Sequence, residues 1–160
     1  MALIYLLIGI QASGKSWICR QLTHKFNYIA HDRCWYHPQR RPPTKRAENP
    51  AWGPPGSTST HLKTLIREAK TSTKPIITEV PFGESDLIDR VQLAGLKAIP
   101  IFVTGDLNTI RLRYRDREGK RLPKNAETRA LTFEKRAQEW GAVHGSSTEI
   151  LAYLEGLPAV

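Results

Sequence analysis

The chain has 160 residues, 24 Lys+Arg against 15 Asp+Glu, a formal net charge of +9 and a sequence pI near 9.8. Hydrophobic residues make up 40% and charged residues 24%, an ordinary globular composition that argues against a disordered chain, a collagen-like chain and a membrane bundle. The length suits one domain spanning 1–160 and leaves no room for a second catalytic domain of ordinary size.

In chain order, Leu3 to Ile8 is a short apolar run ending at Gly9, expected as a buried strand. It is far shorter than the ~20 residues a membrane span needs. It also lacks the basic region and cleavage site of a signal peptide. Ile18, Leu22 and Phe26 recur every four positions after Gly14, as on one face of a helix. Tyr28–Ala30 is a brief second strand. The stretch 38–57 holds six of the eleven prolines and is expected to be a loop or extended excursion. Leu62, Leu65, Ile66 and Ala69 fit a helix, and Ile76–Val80 a third strand fenced by Pro75 and Pro81. Leu87, Ile88, Val91 and Ala94 fit a helix with Ser85 as N-cap and Gly95 at its end. Ala98–Val103 reads as a fourth strand, with Pro100 requiring either a later start or a place near the sheet edge. Asp106 is placed to cap a helix carrying Leu107, Ile110 and Tyr114. Further helices are expected around Ala130, Phe133, Ala137 and Trp140, and around Ile150, Leu151, Leu154 and Leu157. Strands alternating with helices imply an α/β fold: a parallel sheet of four to five strands with helices on both faces.

Two cysteines, Cys19 and Cys34, are too few for a disulfide framework, so a reducing, cytoplasmic setting is expected. Cys19 falls in the first helix as a small buried residue. The five histidines show no metal-ligand spacing.

The chemistry is carried by residues 9–16, Gly-Ile-Gln-Ala-Ser-Gly-Lys-Ser, which match G-x-x-x-x-G-K-[ST]. Gly9 and Gly14 let the backbone bend so that successive N–H groups, including those of Ala12 and Ser13, face phosphate oxygens. The start of the next helix adds partial positive charge. Lys15 reaches the β- and γ-phosphates and the Ser16 hydroxyl ligates Mg²⁺. An apolar strand runs into Gly9 and a helix begins at Lys15, the context this loop requires.

ATP and Mg²⁺ are therefore the expected cofactors. The N-K-x-D of guanine-binding switches is absent from the sequence. Asp32 follows the second strand and is placed to take a proton from an acceptor hydroxyl. Glu79, at the end of the third strand, is placed to hold a Mg²⁺-bound water or a substrate group.

Seven of the nine net positive charges fall on two segments, +4 on 111–121 and +3 on 38–57. Such concentration points to a polyanionic partner, either nucleotide phosphates or a nucleic-acid backbone. Segment 111–123 is expected to be a basic lid over ATP. Arg113 and Arg117 share a helical face and form its phosphate-facing pair. The charge on 111–121 is thereby mainly assigned to ATP phosphates.

With its GIQASGKS loop, Asp32 after strand two, the IITEVPFGESDLIDR segment and RLRYRDREGKRLP, the chain resembles the P-loop kinase superfamily. It is most similar to the kinase domain of phage polynucleotide 5′-hydroxyl kinase. The resemblance implies a kinase-type P-loop fold with an Arg-rich lid, ATP as donor and a DNA or RNA 5′-hydroxyl as acceptor. It implies Asp32 as general base and Arg117 as the phosphate-contacting lid arginine. Three residues after the aspartate that family carries an arginine for the acceptor phosphate. This chain has Trp35 there, with a face for base stacking, and Arg33 close by. Small-molecule P-loop kinases acting on a sugar, a nucleotide or a drug share the outline and form the alternative. A non-catalytic ATP-binding nucleic-acid binder is a third reading.

Overall fold

A computed structural model describes residues 1–30, 59–80 and 87–158. The excursion at 38–57, the Ser85 cap, Cys34, Asp32, Arg33 and Trp35 lie outside the described residues. The strands are β1 (Ile4–Ile8), β2 (Asn27–Ile29), β3 (Ile76–Val80), β4 (Ala98–Val103) and β5 (Val143–Gly145). The helices are α1 (Lys15–Gln21), α2 (Ser59–Thr71), α3 (Leu87–Leu93), α4 (Leu107–Glu118), α5 (Lys124–Trp140) and α6 (Ser147–Glu155).

The five strands form one sheet in the order β2-β3-β1-β4-β5, and every pairing is parallel. β1 is buried along its whole length because helices cover both faces, which is why it reads as a continuous apolar run. Its side chains still alternate. Ile4, Leu6 and Ile8 join one core with Leu65 of α2, Val91 of α3, Ile110 of α4 and Phe133 of α5. Tyr5 and Leu7 join the other, with Ile18 of α1 and Ile150 of α6. Full burial of such an aliphatic side chain contributes roughly 1.5–3 kcal/mol.

Three local expectations are corrected. α1 ends at Gln21 with Leu22 as its C-cap, so Phe26 reaches the same core from the following turn rather than from the helix. The second strand is Asn27–Ile29, one residue earlier than the apolar pattern suggested. α6 stops at Glu155, short of Leu157.

The strand β5 is additional. Pro100 lies inside β4, yet costs no ladder bond to β1. Ile4 N–H donates to Lys97 O at 2.9 Å, which turns the odd-numbered residues of β4 toward β1 and Pro100 toward β5. Pairing with β5 begins only at Ile101. Pro100 is thus locally at an edge, where the missing donor is tolerated.

A buried polar chain holds the end of β2. Thr78 Oγ donates to Ile29 O at 2.6 Å, so Thr78 accepts from His61 Nε2 at 2.9 Å. Three elements are joined at the point where the chain leaves β2 toward Asp32.

Lys25, in the α1–β2 turn, donates its ammonium to Leu154 O (3.0 Å), Glu155 O (2.9 Å) and Leu157 O. It satisfies carbonyls at the C-terminal end of α6 and opposes the helix dipole there. Lys25→Met is expected to destabilise the fold by about 1–2 kcal/mol, seen as a drop of ~3–6 °C in Tm. An unchanged Tm would show that these bonds contribute nothing net.

Candidate functional site

The order β2-β3-β1-β4-β5 places β1 between strands reached by crossovers in opposite directions. The carboxyl end of β1 is therefore a topological switch point, where open α/β sheets bind ligands. β1 runs there into the loop 9–14.

Each loop glycine has a steric reason. A Cβ on Gly9 would lie 2.7 Å from Val103 O and 2.7 Å from Ser13 Oγ. Gly14 has φ 102° and lies so close to α6 that a Cβ would meet Ser147 Cβ at 2.7 Å. Ala12 is also left-handed, at φ 61°, an uncommon conformation for a residue with a Cβ.

The loop fits a phosphate group. α1 starts with no side-chain cap, so its first N–H groups remain available to an anion. Ser13 Oγ is buried with no hydrogen-bond partner. Lys15 Nζ lies across the loop, donating to Gly9 O at 2.6 Å and Ile10 O at 2.9 Å.

Burial lowers the Lys15 pKa to about 8. The Glu79 carboxylate opposes that shift, and Arg117 adds to it. Folded Lys15 thus sits below its ordinary 10.5, and the fold gains stability as pH rises from about 8 toward 10.5. Phosphate binding favours the charged amine. Nucleotide binding near pH 8.5 is therefore expected to take up a proton, read by calorimetry in buffers of different ionisation enthalpy. Lys15→Arg, permanently charged, is expected to abolish the uptake. Zero uptake by the unmodified protein would contradict the assignment.

Loop residues Ala12 to Ser16 line a cleft of about 450 Å³ together with Trp17, Arg20, Arg113, Arg117 and Thr148. Asp106 starts α4, accepting from Asn108 N–H (3.2 Å) and Thr109 O–H (3.0 Å). α4 then carries Arg113 and Arg117 to the cleft on one face. Arg113 donates to Ser147 Oγ at 3.3 Å, which fixes it beside Gly14. Arg117 has its guanidinium 5.8 Å from the Tyr114 ring centroid and Nε 3.1 Å from Glu118.

Glu79 is buried, one β-ladder step from the loop, in register with Leu7. Tyr28 O–H lies 2.9 and 2.8 Å from its two carboxylate oxygens. Cys19, one helical turn beyond Lys15, is also buried. Burial first, then the Glu79 charge and a hydrogen bond to it, hold its thiol well above the usual range. Cys19 therefore stays a neutral donor. Ser16 and Glu79 are the oxygen donors that would hold Mg²⁺ here; among the described residues there is no cluster of three or more His, Cys, Asp or Glu.

The structure thus brings together Gly9, Ala12, Ser13, Gly14, Lys15, Ser16, Arg113, Arg117 and Glu79. It corrects the distribution of the lid charge. Arg111, Arg115 and Arg121 do not reach the phosphate cleft. They line a separate one with Lys124, on the other side of α4. Sequence reasoning missed Tyr28, Trp17, Arg20, Ser147 and Thr148. The only advance signal was the Ser146-x-x-Glu149 capping box that begins α6.

A five-stranded parallel sheet in this order, with a G-x-x-x-x-G-K-S loop after β1 and an arginine-bearing helix over it, is the kinase-type P-loop NTPase fold. Solved structures agree. The chain is similar to a gluconokinase from Sinorhizobium meliloti 1021, with TM-score 0.59, 18% identity, and 92% of this chain and 86% of that one covered. It is similar to the Deinococcus radiodurans tunicamycin resistance protein, with TM-score 0.60, 17% identity, and 99% and 98% covered. A sugar kinase from Janibacter sp. HTCC2649 matches with TM-score 0.50, 14% identity, and 83% and 78% covered. No family model and no curated protein matches the sequence. Among the described residues no helix is long and apolar enough to cross a membrane.

Proposed function

We propose that the protein is an ATP-dependent kinase that transfers the γ-phosphate to a hydroxyl of a small-molecule acceptor. The observation that carries this reading is the single cleft joining the phosphate loop, Lys15 and Ser16 to Arg113 and Arg117. Two of the similar structures are named as a gluconokinase and a sugar kinase, and a third for tunicamycin resistance. These names favour a small acceptor over a polynucleotide end.

In the proposed reaction Asp32 accepts the acceptor's hydroxyl proton, and that oxygen forms the new bond to the γ-phosphorus. The bond from the γ-phosphorus to the β–γ bridging oxygen breaks, and ADP leaves. The loop N–H groups and Lys15 hold the phosphates. Arg113 and Arg117 neutralise the charge spread over the transferring group, which is most of what catalysis of phosphoryl transfer requires. Ser16 and Glu79 would hold Mg²⁺, which would supply charge neutralisation for the donor's phosphates. Arg33 and Trp35, next to Asp32 in the chain, are proposed acceptor contacts.

A second reading keeps a polynucleotide 5′-hydroxyl as acceptor. It is favoured by the second cleft, where Arg115, Arg121 and Lys124 stand beside the Arg111–Glu127 ion pair (2.6 Å), and by the +3 on 38–57. Salt separates the two. Acceptor binding through a single-strand backbone should weaken with a log–log slope near −0.7 per neutralised phosphate. A neutral small acceptor should show almost none. Phosphate transfer to a sugar-type hydroxyl with a flat salt response supports the first reading; transfer confined to oligonucleotides with a steep response overturns it.

A further inference from the structure

Tyr28 stands opposite Ile77 in the β2–β3 ladder, which makes Glu79 its diagonal neighbour on the same face of the sheet. Aromatic side chains reach across such diagonals. The phenolic oxygen is almost equidistant from the two carboxylate oxygens, at 2.9 and 2.8 Å. It therefore lies near the bisector of the carboxylate, on the side where one lone pair from each oxygen converges. That is the place a cation takes when a carboxylate chelates it through both oxygens. Glu79 thus has its chelating side already filled by a group on β2.

The two biologically abundant divalent cations use carboxylates differently. Mg²⁺ demands near-ideal octahedral geometry, keeps several waters and uses one or two carboxylates. Ca²⁺ takes six to eight oxygens and accepts bidentate carboxylates readily. We propose that Tyr28 is the residue that sets the metal preference of this site: by filling the chelating side of Glu79 it confines the carboxylate to one-oxygen or water-mediated contact, which suits Mg²⁺ and disfavours Ca²⁺. This rests on the reading that the cleft binds a metal–nucleotide complex. Tyr28 acts through Glu79 and is a positioning residue, not a catalytic one.

The test is a binding measurement, independent of phosphate transfer. The full chain and its Tyr28→Phe variant are titrated with Mg²⁺ and with Ca²⁺ in the presence of a β,γ-imido ATP analogue, by calorimetry. Tyr28→Phe opens the chelating side while keeping the ring. It is expected to raise the Ca²⁺-over-Mg²⁺ affinity ratio on the order of tenfold, the lower range for supporting groups of metal ligands. Tyr28→Leu should move the ratio in the same direction. Adding Glu79→Gln to Tyr28→Phe should remove the gain, because the carboxylate through which Tyr28 acts is gone. An unchanged ratio in both Tyr28 variants, with nucleotide binding intact, overturns the inference alone. Failure of the unmodified protein to bind the analogue in a metal-dependent way overturns the reading of the site, and the inference with it.

Discussion

Asp32→Asn is expected to slow phosphate transfer by roughly 10²–10⁴-fold while nucleotide affinity stays unchanged. The substitution keeps size and shape and removes the basic oxygen proposed to take the acceptor's proton. Asp32 follows Ile29, the last residue of β2, by three positions in the sequence. The strand's end is not loose: Ile29 O accepts from Thr78, which accepts from the buried His61. Nucleotide binding is proposed to rest on a different element, the loop after β1. A base acts in the chemical step and not on the donor's phosphates, so the loss should fall on kcat with the ATP KM nearly constant. A parallel loss of nucleotide affinity would make Asp32 a structural residue.

Arg117→Ala is expected to lower kcat by roughly 10²–10³-fold, the cost of removing one preorganised donor to transition-state charge. The reason lies in how the two cleft arginines are held. Arg113 is tied to Ser147 beside Gly14, a position suited to phosphates already in the ground state. Arg117 leans instead on Tyr114 and Glu118 of its own helix. Its charge nevertheless reaches the loop, where it adds to the lowering of the Lys15 pKa. Arg113→Ala should therefore raise the ATP KM more than it lowers kcat, and Arg117→Ala the reverse. Arg117→Lys should recover little, since an ammonium lacks the planar fork of a guanidinium. Equal splits for both variants would contradict separate roles.

The site was legible where chemistry is written in consecutive residues. The loop at 9–16 needs its glycines, lysine and serine next to one another, and the apolar run before it announced a strand covered on both faces. Glu79 could be placed because a strand between two prolines ends there. Tyr28 could not, because its meaning lies in a diagonal across β2 and β3 that only pairing creates.

The same limit explains the arginines. Helical spacing correctly grouped Arg113 with Arg117, yet only the packing of α4 shows that Arg111 and Arg115 face a different cleft. β5 was invisible because it is three residues long, Val-His-Gly, and pairs only with Ile101 to Val103. Phe26 was drawn into α1 by its spacing, since burial from a turn and burial from a helix look alike in sequence.

The most direct measurement follows the γ-phosphate itself. The protein is incubated with Mg²⁺, γ-labelled ATP and, separately, sugar-type hydroxyl compounds and a 5′-hydroxyl oligonucleotide, and the labelled products are separated. Label on a small hydroxyl acceptor, lost in Asp32→Asn and in Arg117→Ala, is the expected result. Label that stays on ATP or appears only as free phosphate with every acceptor would contradict the assignment of this cleft to phosphoryl transfer onto a hydroxyl.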